Sequence, residues 1–297
     1  MPELPEVETI RRHLAPHVEG RRLNRVEILD ARWTQPLAPR AVAHAVEGRV
    51  VDRLGRRGKY LVWHFEDDVH LLMHLRMTGT LLLDPPGAPP YTRVWLRVDG
   101  HDVAYTDPRR FGTGELALGD DQLEAFFATR LGLEPLAAEF TADHLHGLAR
   151  RSRAPVKAFL LDQKRVAGVG NIYADEALHR AGIHPLRPAN RLTRAQAAAL
   201  RDAVVASLEA GIAAKGASID DFRDPDGVQG AFQDQFLVHL REGEPCPRCG
   251  RPIRKLRAAG RGTYVCERCQ PRPRAARRAQ AAASSASAPS RSALTSS

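Results

Sequence analysis

All four cysteines of the chain fall in one spacing, Cys246-x2-Cys249-x16-Cys266-x2-Cys269. Two CxxC knuckles at this separation each bring two thiolates to one side of a tetrahedral ion, the arrangement by which four sulfurs hold zinc. Between the knuckles, Pro252-Ile253-Arg254 and Gly262-Thr263-Tyr264-Val265 read as two strands of a hairpin. The pattern predicts one structural Zn2+ on Cys246, Cys249, Cys266 and Cys269. Two disulfides would need an oxidising compartment. The N-terminus carries Glu3, Glu6 and Glu8 where a secretory leader needs basic and then apolar residues. No apolar run reaches the ~18–20 residues of a membrane span, so a cytoplasmic protein without a membrane partner is expected. Pro245-Cys246-x2-Cys249 also fits half of a nucleobase deaminase signature. The two H-x-E triplets, His17-Val18-Glu19 and His64-Phe65-Glu66, are distant, and a four-cysteine site leaves no position for a histidine.

Upstream of the cysteines the pattern changes twice. Residues 5–18 read as a helix, with Pro5 in the first turn and Val7, Ile10, Leu14 and Val18 at helical spacing. From Arg25 to about Gly119 short β-like runs follow one another: 25–29, 49–54, 60–65, 69–75, 80–83, 94–98 and 103–105. Turn residues such as Asp84-Pro85-Pro86-Gly87 separate them, which suggests a β-sandwich or barrel. Past Leu131 the chain turns helical, over 156–163, 172–181 and a stretch opened by a Thr193/Gln196 capping box. Gly211–Gly230 reads as a loop and Phe232–Leu240 as a strand. The expected fold is α+β: a sandwich domain at 1–130, a helical domain at 131–240, a zinc finger at 241–270 and a disordered basic Ala/Ser-rich tail at 271–297.

The net charge of +9 invites a nucleic-acid partner. Its distribution is uneven. Residues 251–297 hold eleven basic groups and one acid (Glu267), so the first 250 residues sum to −1. Only Lys59, Lys157, Lys164, Lys215 and Lys255 are lysines, against 39 arginines. Generic positive charge is thus arginine, and each lysine is a candidate for work that needs a primary amine.

The chain begins Met1-Pro2-Glu3-Leu4-Pro5-Glu6. Removal of Met before a small residue exposes Pro2 as a secondary amine, and an α-amino group has a pKa near ~7.7–8. At the positive end of the 5–18 helix its charged form is further disfavoured. Such an amine can attack a carbonyl-level carbon and form an iminium, with Glu3 beside it to move a proton. On these residues alone an ordinary terminus is the better reading.

Met1-Pro2-Glu3-Leu4-Pro5-Glu6-Val7-Glu8-Thr9, taken with further segments in the same order as far as about residue 270, resembles the bacterial formamidopyrimidine-DNA glycosylases of the formamidopyrimidine/endonuclease VIII family. The resemblance implies a β-sandwich flanked by helices, then a helix–two-turn–helix domain and a zinc finger. It implies a bifunctional base-excision repair enzyme, a glycosylase and abasic-site lyase acting as a monomer on damaged double-stranded DNA. By that resemblance Pro2 is the nucleophile at C1′ and Glu3 the acid/base at the sugar. Lys59, in Arg56-Arg57-Gly58-Lys59-Tyr60, serves β-elimination. Arg261, in Gly260-Arg261-Gly262-Thr263-Tyr264, serves δ-elimination. A guanidinium with a pKa above ~12 is a poor acid, so a phosphate clamp is an equal reading for Arg261.

An enzyme acting at C1′ extrudes the nucleotide and fills the gap left in the stack. His74-Leu75-Arg76-Met77-Thr78-Gly79 and Asp107-Pro108-Arg109-Arg110-Phe111-Gly112 resemble the family's gap-filling segments. Met77 and Phe111 are then wedges, and Arg109 addresses the orphaned base. Gly168-Val169-Gly170-Asn171-Ile172-Tyr173 resembles the turn of the two-turn motif, which makes Asn171 a phosphate contact, with Arg153 and Lys157 beside it. Tyr91 falls about where a DNA-contacting His is common, and Arg76 where many members have Gly. Gly216–Gly230 resembles a base-capping loop, with Asp220 where some members are basic. Oxidised purines such as 8-oxoguanine and formamidopyrimidines are the expected substrates. The alternatives are an endonuclease VIII-like preference for oxidised pyrimidines, or a non-catalytic zinc-ribbon DNA-binding protein.

Overall fold

The computed structural model describes residues 2–219 and 222–273. Asp220 and the part of the expected tail from residue 274 onward lie outside the described residues. Helix α1 (Leu4–Val18) leads into eight strands that form two antiparallel four-stranded sheets. One sheet orders β1 (Leu23–Ile28), β6 (Thr92–Val98), β7 (His101–Thr106) and β5 (Thr80–Leu83). The other orders β2 (Val51–Arg57), β3 (Tyr60–Phe65), β4 (Val69–His74) and β8 (Thr113–Leu118). Between the sheets, Leu61, Trp63, Leu71 and Met73 meet Leu81, Val94 and Leu96.

Strand β3, Tyr-Leu-Val-Trp-His-Phe, shows no polar alternation because both of its faces are covered. Leu61, Trp63 and Phe65 face the inter-sheet core. Tyr60 and Val62 pack instead with Leu72 and with Leu123 and Phe127 of helix α3 (Asp120–Ala128). Helix α2 (Pro39–Val46) adds Val42 and Val46 to the inter-sheet core. Within residues 1–130 the expected elements lacked α2, α3 and β8.

Four further helices build the second core: α4 (Ala142–Arg150), α5 (Val156–Leu161), α6 (Asn171–Arg180) and α7 (Arg194–Ala213). The Thr193/Gln196 capping box opens α7 as the sequence suggests. Helix α1 belongs to both cores. Val7, Ile10 and Leu14 sit in the sandwich core, whereas Leu4 sits in the helical one. A fully buried aliphatic side chain contributes on the order of 1.5–3 kcal/mol. The first turn of α1 is thus anchored from two sides, and the N-terminus is fixed at the seam.

Two expectations change at the C-terminal end. Phe232–Leu240 is not a strand: a 3-10 turn covers Phe232–Gln235, and no strand lies alongside among the described residues. The N–H groups of Leu237, Val238 and His239 donate to the buried Glu176 carboxylate at 2.9, 3.0 and 3.0 Å instead. The zinc hairpin does form, as β9 (Arg254–Ala258) and β10 (Arg261–Val265) in antiparallel register. Its first strand begins two residues later than the sequence suggests. Ala259 and Gly260, both at positive φ, supply the two-residue turn that matches strand twist.

Candidate active site and DNA-facing surface

Glu3 is the N-cap of α1, and its N–H donates to Glu6 Oε2 at 2.8 Å in a capping box. Its carboxylate is buried against the start of α6. There Oε1 accepts the Ile172 N–H at 3.0 Å, while Oε2 is buried without a hydrogen bond. A helix N-terminus favours an anion and supplies N–H donors to it. Gly170 is indispensable to this contact, because a Cβ there would overlap the Glu3 carboxyl. The Leu4 N–H donates to the Gly168 carbonyl at 3.1 Å, and Gln163 holds the same turn through Gly168 N (2.9 Å) and Val169 O (2.8 Å). The Gly168–Asn171 motif thus serves as a mould for the first residues of the chain. Pro2, next to Glu3 in the chain, is buried.

Lys59 lies in the β2–β3 turn and is 5% exposed. Its ammonium makes no hydrogen bond or ion pair among the described residues. Burial lowers its pKa, with Arg261 adding to the fall and Glu3 and Glu6 opposing it. The turn is held by Glu134, which accepts Gly58 N at 2.8 Å and pairs with Arg56 at 2.6 Å. Glu6 is itself wholly buried, and that burial together with Glu3 raises its pKa. It accepts Tyr173 OH and Ala217 N, each at 2.8 Å, which links the start of the chain to the 216–230 loop. Arg261, at the first position of β10, is exposed and forms no ion pair among the described residues.

Lys157 is placed differently from the expectation of a phosphate contact. It is 0% exposed, and its Nζ donates to Asp175 Oδ1 (2.7 Å), Thr263 Oγ1 (2.8 Å) and the Gly262 carbonyl (3.2 Å). The reason lies on α6, where Asp175 is buried and needs a cation; its other oxygen meets His239 Nδ1 at 2.9 Å. Burial lowers the Lys157 pKa, with Asp175 opposing the fall. Lys157 therefore fixes the zinc hairpin to α6. Asn171 Nδ2 donates to the same Gly262 carbonyl at 3.2 Å, next to Arg261. Arg153 is exposed and without an ion pair among the described residues.

The expected wedges are on the surface. Met77, Tyr91 and Phe111 are 37, 58 and 50% exposed, and the Arg109 guanidinium stacks over the Phe111 ring at 4.7 Å. Arg76, Tyr91 and Arg110 hold φ of 55, 63 and 59°, a left-handed conformation that costs a side chain-bearing residue about 1–3 kcal/mol. Asp107, 1% exposed, holds these loops together. It accepts Thr78 Oγ1 (2.5 Å), Phe111 N (2.9 Å) and Gly112 N (2.8 Å). Its own N–H donates to the Tyr91 carbonyl at 3.1 Å. The sequence signal for that role was slight: a carboxylate opening an Asp-Pro turn between two exposed apolar positions.

The four cysteine sulfurs lie within 4.8 Å of one another, with Cys246–Cys269 at 3.9 Å and Cys249–Cys266 at 3.4 Å. Zinc–sulfur bonds of about 2.3 Å set tetrahedral sulfurs roughly 3.8 Å apart, so the cluster fits one structural zinc ion. All four positions are cysteines, so a tetrahedral ion held by them would have no open position for catalysis. His179 of α6 reaches Cys246 Sγ through Nε2 at 3.3 Å, a contact of the kind that orients a metal ligand.

Comparison with known proteins agrees with this architecture. Family models match at residues 1–114 (formamidopyrimidine-DNA glycosylase N-terminal domain), 131–223 (its helix–two-turn–helix domain) and 243–272 (a zinc finger found in these enzymes and in isoleucyl-tRNA synthetase). The formamidopyrimidine-DNA glycosylase of Alkalilimnicola ehrlichii is 45% identical over 279 residues, covering 91% of this chain and 100% of the relative. That of Bacillus licheniformis is 41% identical, covering 91 and 99%. The crystal structure of the MutM (Fpg) protein from Thermus thermophilus superposes with a TM-score of 0.83 at 41% identity, covering 92 and 100%. A Lactococcus lactis Fpg complex with abasic-site DNA superposes at 0.84 and 35% identity, covering 91 and 100%. Sandwich, helix–two-turn–helix and zinc hairpin together define a DNA-binding glycosylase. The chain belongs to the formamidopyrimidine-DNA glycosylase family. No helix among the described residues is long and apolar enough to cross a membrane.

Proposed function

We propose that this glycosylase excises oxidised purines, 8-oxoguanine and formamidopyrimidines, from duplex DNA through Pro2 and then cleaves the strand as an abasic-site lyase. The observation that carries this reading is the Glu3 carboxylate, bound through one oxygen to the α6 N-terminus and bare at the other, one residue from Pro2. Attack of the neutral Pro2 nitrogen on C1′ displaces the base, which leaves with the electron pair of its bond. The adduct nitrogen then loses its proton, and its lone pair forms the C=N of an iminium as the C1′–O4′ bond breaks and O4′ takes a proton. Glu3 Oε2, without a competing donor, exchanges the proton of the opening sugar. The iminium acidifies C2′–H, so the 3′ phosphate and then the 5′ phosphate leave by β- and δ-elimination. Lys59 and Arg261 flank this step. Lys59, unpaired and with a lowered pKa, acts in β-elimination. Arg261, exposed on the zinc hairpin, clamps a phosphate during δ-elimination. Arg153 and Asn171 hold backbone phosphates, while Met77, Phe111, Arg109 and Tyr91 occupy and read the gap.

Borohydride trapping on a panel of damaged duplexes tests this. A covalent complex with 8-oxoguanine DNA that maps to Pro2 is the expected result. No complex, or full trapping by Pro2→Gly, would overturn it. The second reading, preference for oxidised pyrimidines, draws on a Lactococcus lactis Fpg structure described in complex with oxidised-pyrimidine DNA, at 35% identity and a TM-score of 0.84. Faster single-turnover release of the pyrimidine lesion in the same panel would favour it.

A further inference from the structure

Ten residues along α1 from Glu3, about 15 Å at 1.5 Å per residue, lies a second group of metal-ligating side chains. His13 Nε2 is 3.0 Å from Asp226 Oδ1. One ligand atom each from His13, Asp224 and Asp226 falls within 4.8 Å of the other two. Asp224 is 2% exposed. Its Oδ1 accepts the N–H groups of Asp226 (3.1 Å) and Val228 (2.8 Å), and its Oδ2 has no partner among the described residues. Asp224 and His13 border a common cavity of about 350 Å³. The Asp224 Oδ2 oxygen is not buried away from solvent and accepts no hydrogen bond among the described residues, so on the cavity side it is free to take a ligand.

We propose that His13, Asp224 and Asp226 form a site for a divalent transition-metal ion that bridges α1 to the 222–228 loop. One imidazole and two carboxylates suit zinc, nickel or cobalt, because imidazole separates these from magnesium and calcium. Bonds of about 2.0–2.1 Å place neighbouring tetrahedral ligands roughly 3.3 Å apart. The His13–Asp226 pair is already near that separation, and the Asp226 side chain, 59% exposed, is free to swing the remaining distance. An imidazole binds a metal in its neutral form, so with two carboxylate ligands the site would offer two negative charges for the ion to balance. Of the two cations bordering the cavity, Arg12 is occupied by Glu8 at 2.7 Å, so among the described cavity-lining residues Lys215 alone opposes binding. The loop is already tied to β5 by Thr80 Oγ1 to Arg223 O and Leu83 N to Pro225 O, both at 2.9 Å. A bound ion would add α1 to that bond set.

The test is calorimetric titration of Ni2+ into the protein with its cysteine-bound zinc in place, with metal content assayed before and after. The proposal expects one Ni2+ taken up beyond the zinc. Affinity should fall at least tenfold in His13→Gln and in Asp226→Asn and rise severalfold in Lys215→Met, with zinc content and melting temperature unchanged in each. The partly exposed His13 and Asp226 carry the test, since Asp224→Asn alters a buried turn. No saturable uptake beyond the zinc overturns the site. His17, one turn on, stacks with His13 at 6.1 Å. Binding that survives Asp226→Asn and vanishes in His17→Gln would place the ion on the helix histidines alone and equally overturn the proposal.

Discussion

The seam around Glu3 and the loops around Phe111 solve opposite problems. At the seam Glu3, Glu6, Lys59, Lys157 and Asp175 are all buried, and most are held by backbone N–H groups or by one another. In the loops Met77, Tyr91 and Phe111 face water on backbone that includes three left-handed residues. A reacting group gains from being fixed before substrate arrives, because no reorganisation is then needed at the moment of reaction. A wedge has to leave solvent and enter a base stack, so it must start exposed. The two regions share one device, a buried carboxylate that collects backbone N–H donors: Glu6 at the seam, Asp107 beneath the loops.

Substitutions should separate the regions by what they damage. Glu3→Gln is expected to have the largest effect, a loss of about 10²–10⁴-fold in saturated single-turnover excision, the span typical of a positioned acid/base, with the melting temperature unchanged. Asp107→Ala strands the Phe111 and Gly112 N–H groups. Leaving a buried donor unpaired costs about 1–3 kcal/mol, so binding to lesion duplex should weaken roughly 5–150-fold, measured by titration of a lesion analogue. Lys157→Met removes one partner of a buried ion pair and should destabilise the fold by about 3–5 kcal/mol in urea unfolding. Equal stability would show that the pair does not hold the hairpin to α6.

Part of this division was readable from residues. Helix α1, strands β3 and β5 and the cysteine knuckles follow from spacing alone, since apolar period and ligand geometry are local properties. The organising acids were not readable. Asp175 and Glu176 look like the solvent face of a helix, yet α6 is buried on all sides from Ile172 to His179. No pattern in Asn-Ile-Tyr-Ala-Asp-Glu reveals that. Lys157 was misplaced for the same cause, because its partner is set by tertiary packing. Phe232–Leu240 alternates like a strand, but the acceptor for its N–H groups is a side chain 61–63 residues away.

Smaller effects bear on the margins of the comparison. Burial acts to raise the Glu8 pKa, but hydrogen bonds and charge from Arg11 and Arg12, with Arg56, bring it down from 4.5 to about 2. A group with a depressed folded pKa stabilises fully above its unfolded value and loses that contribution as pH falls through the folded one. Melting temperature should therefore fall between about pH 4.5 and 2, and Glu8→Gln should flatten that decline. Truncation after Pro273 removes four arginines. The slope of log K against log salt shrinks by about 0.9 for every phosphate that is no longer neutralised, so salt dependence should weaken while saturated excision is unchanged.

The central claim is that chemistry resides in the prebuilt seam and capture in the loops. Saturated single-turnover excision of 8-oxoguanine, measured side by side for Glu3→Gln and Asp107→Ala at DNA concentrations well above each dissociation constant, tests it most directly. The account predicts that excess DNA restores Asp107→Ala to within a few fold of wild type and leaves Glu3→Gln slowed by at least about a hundredfold. Equal residual rates at saturation would contradict it.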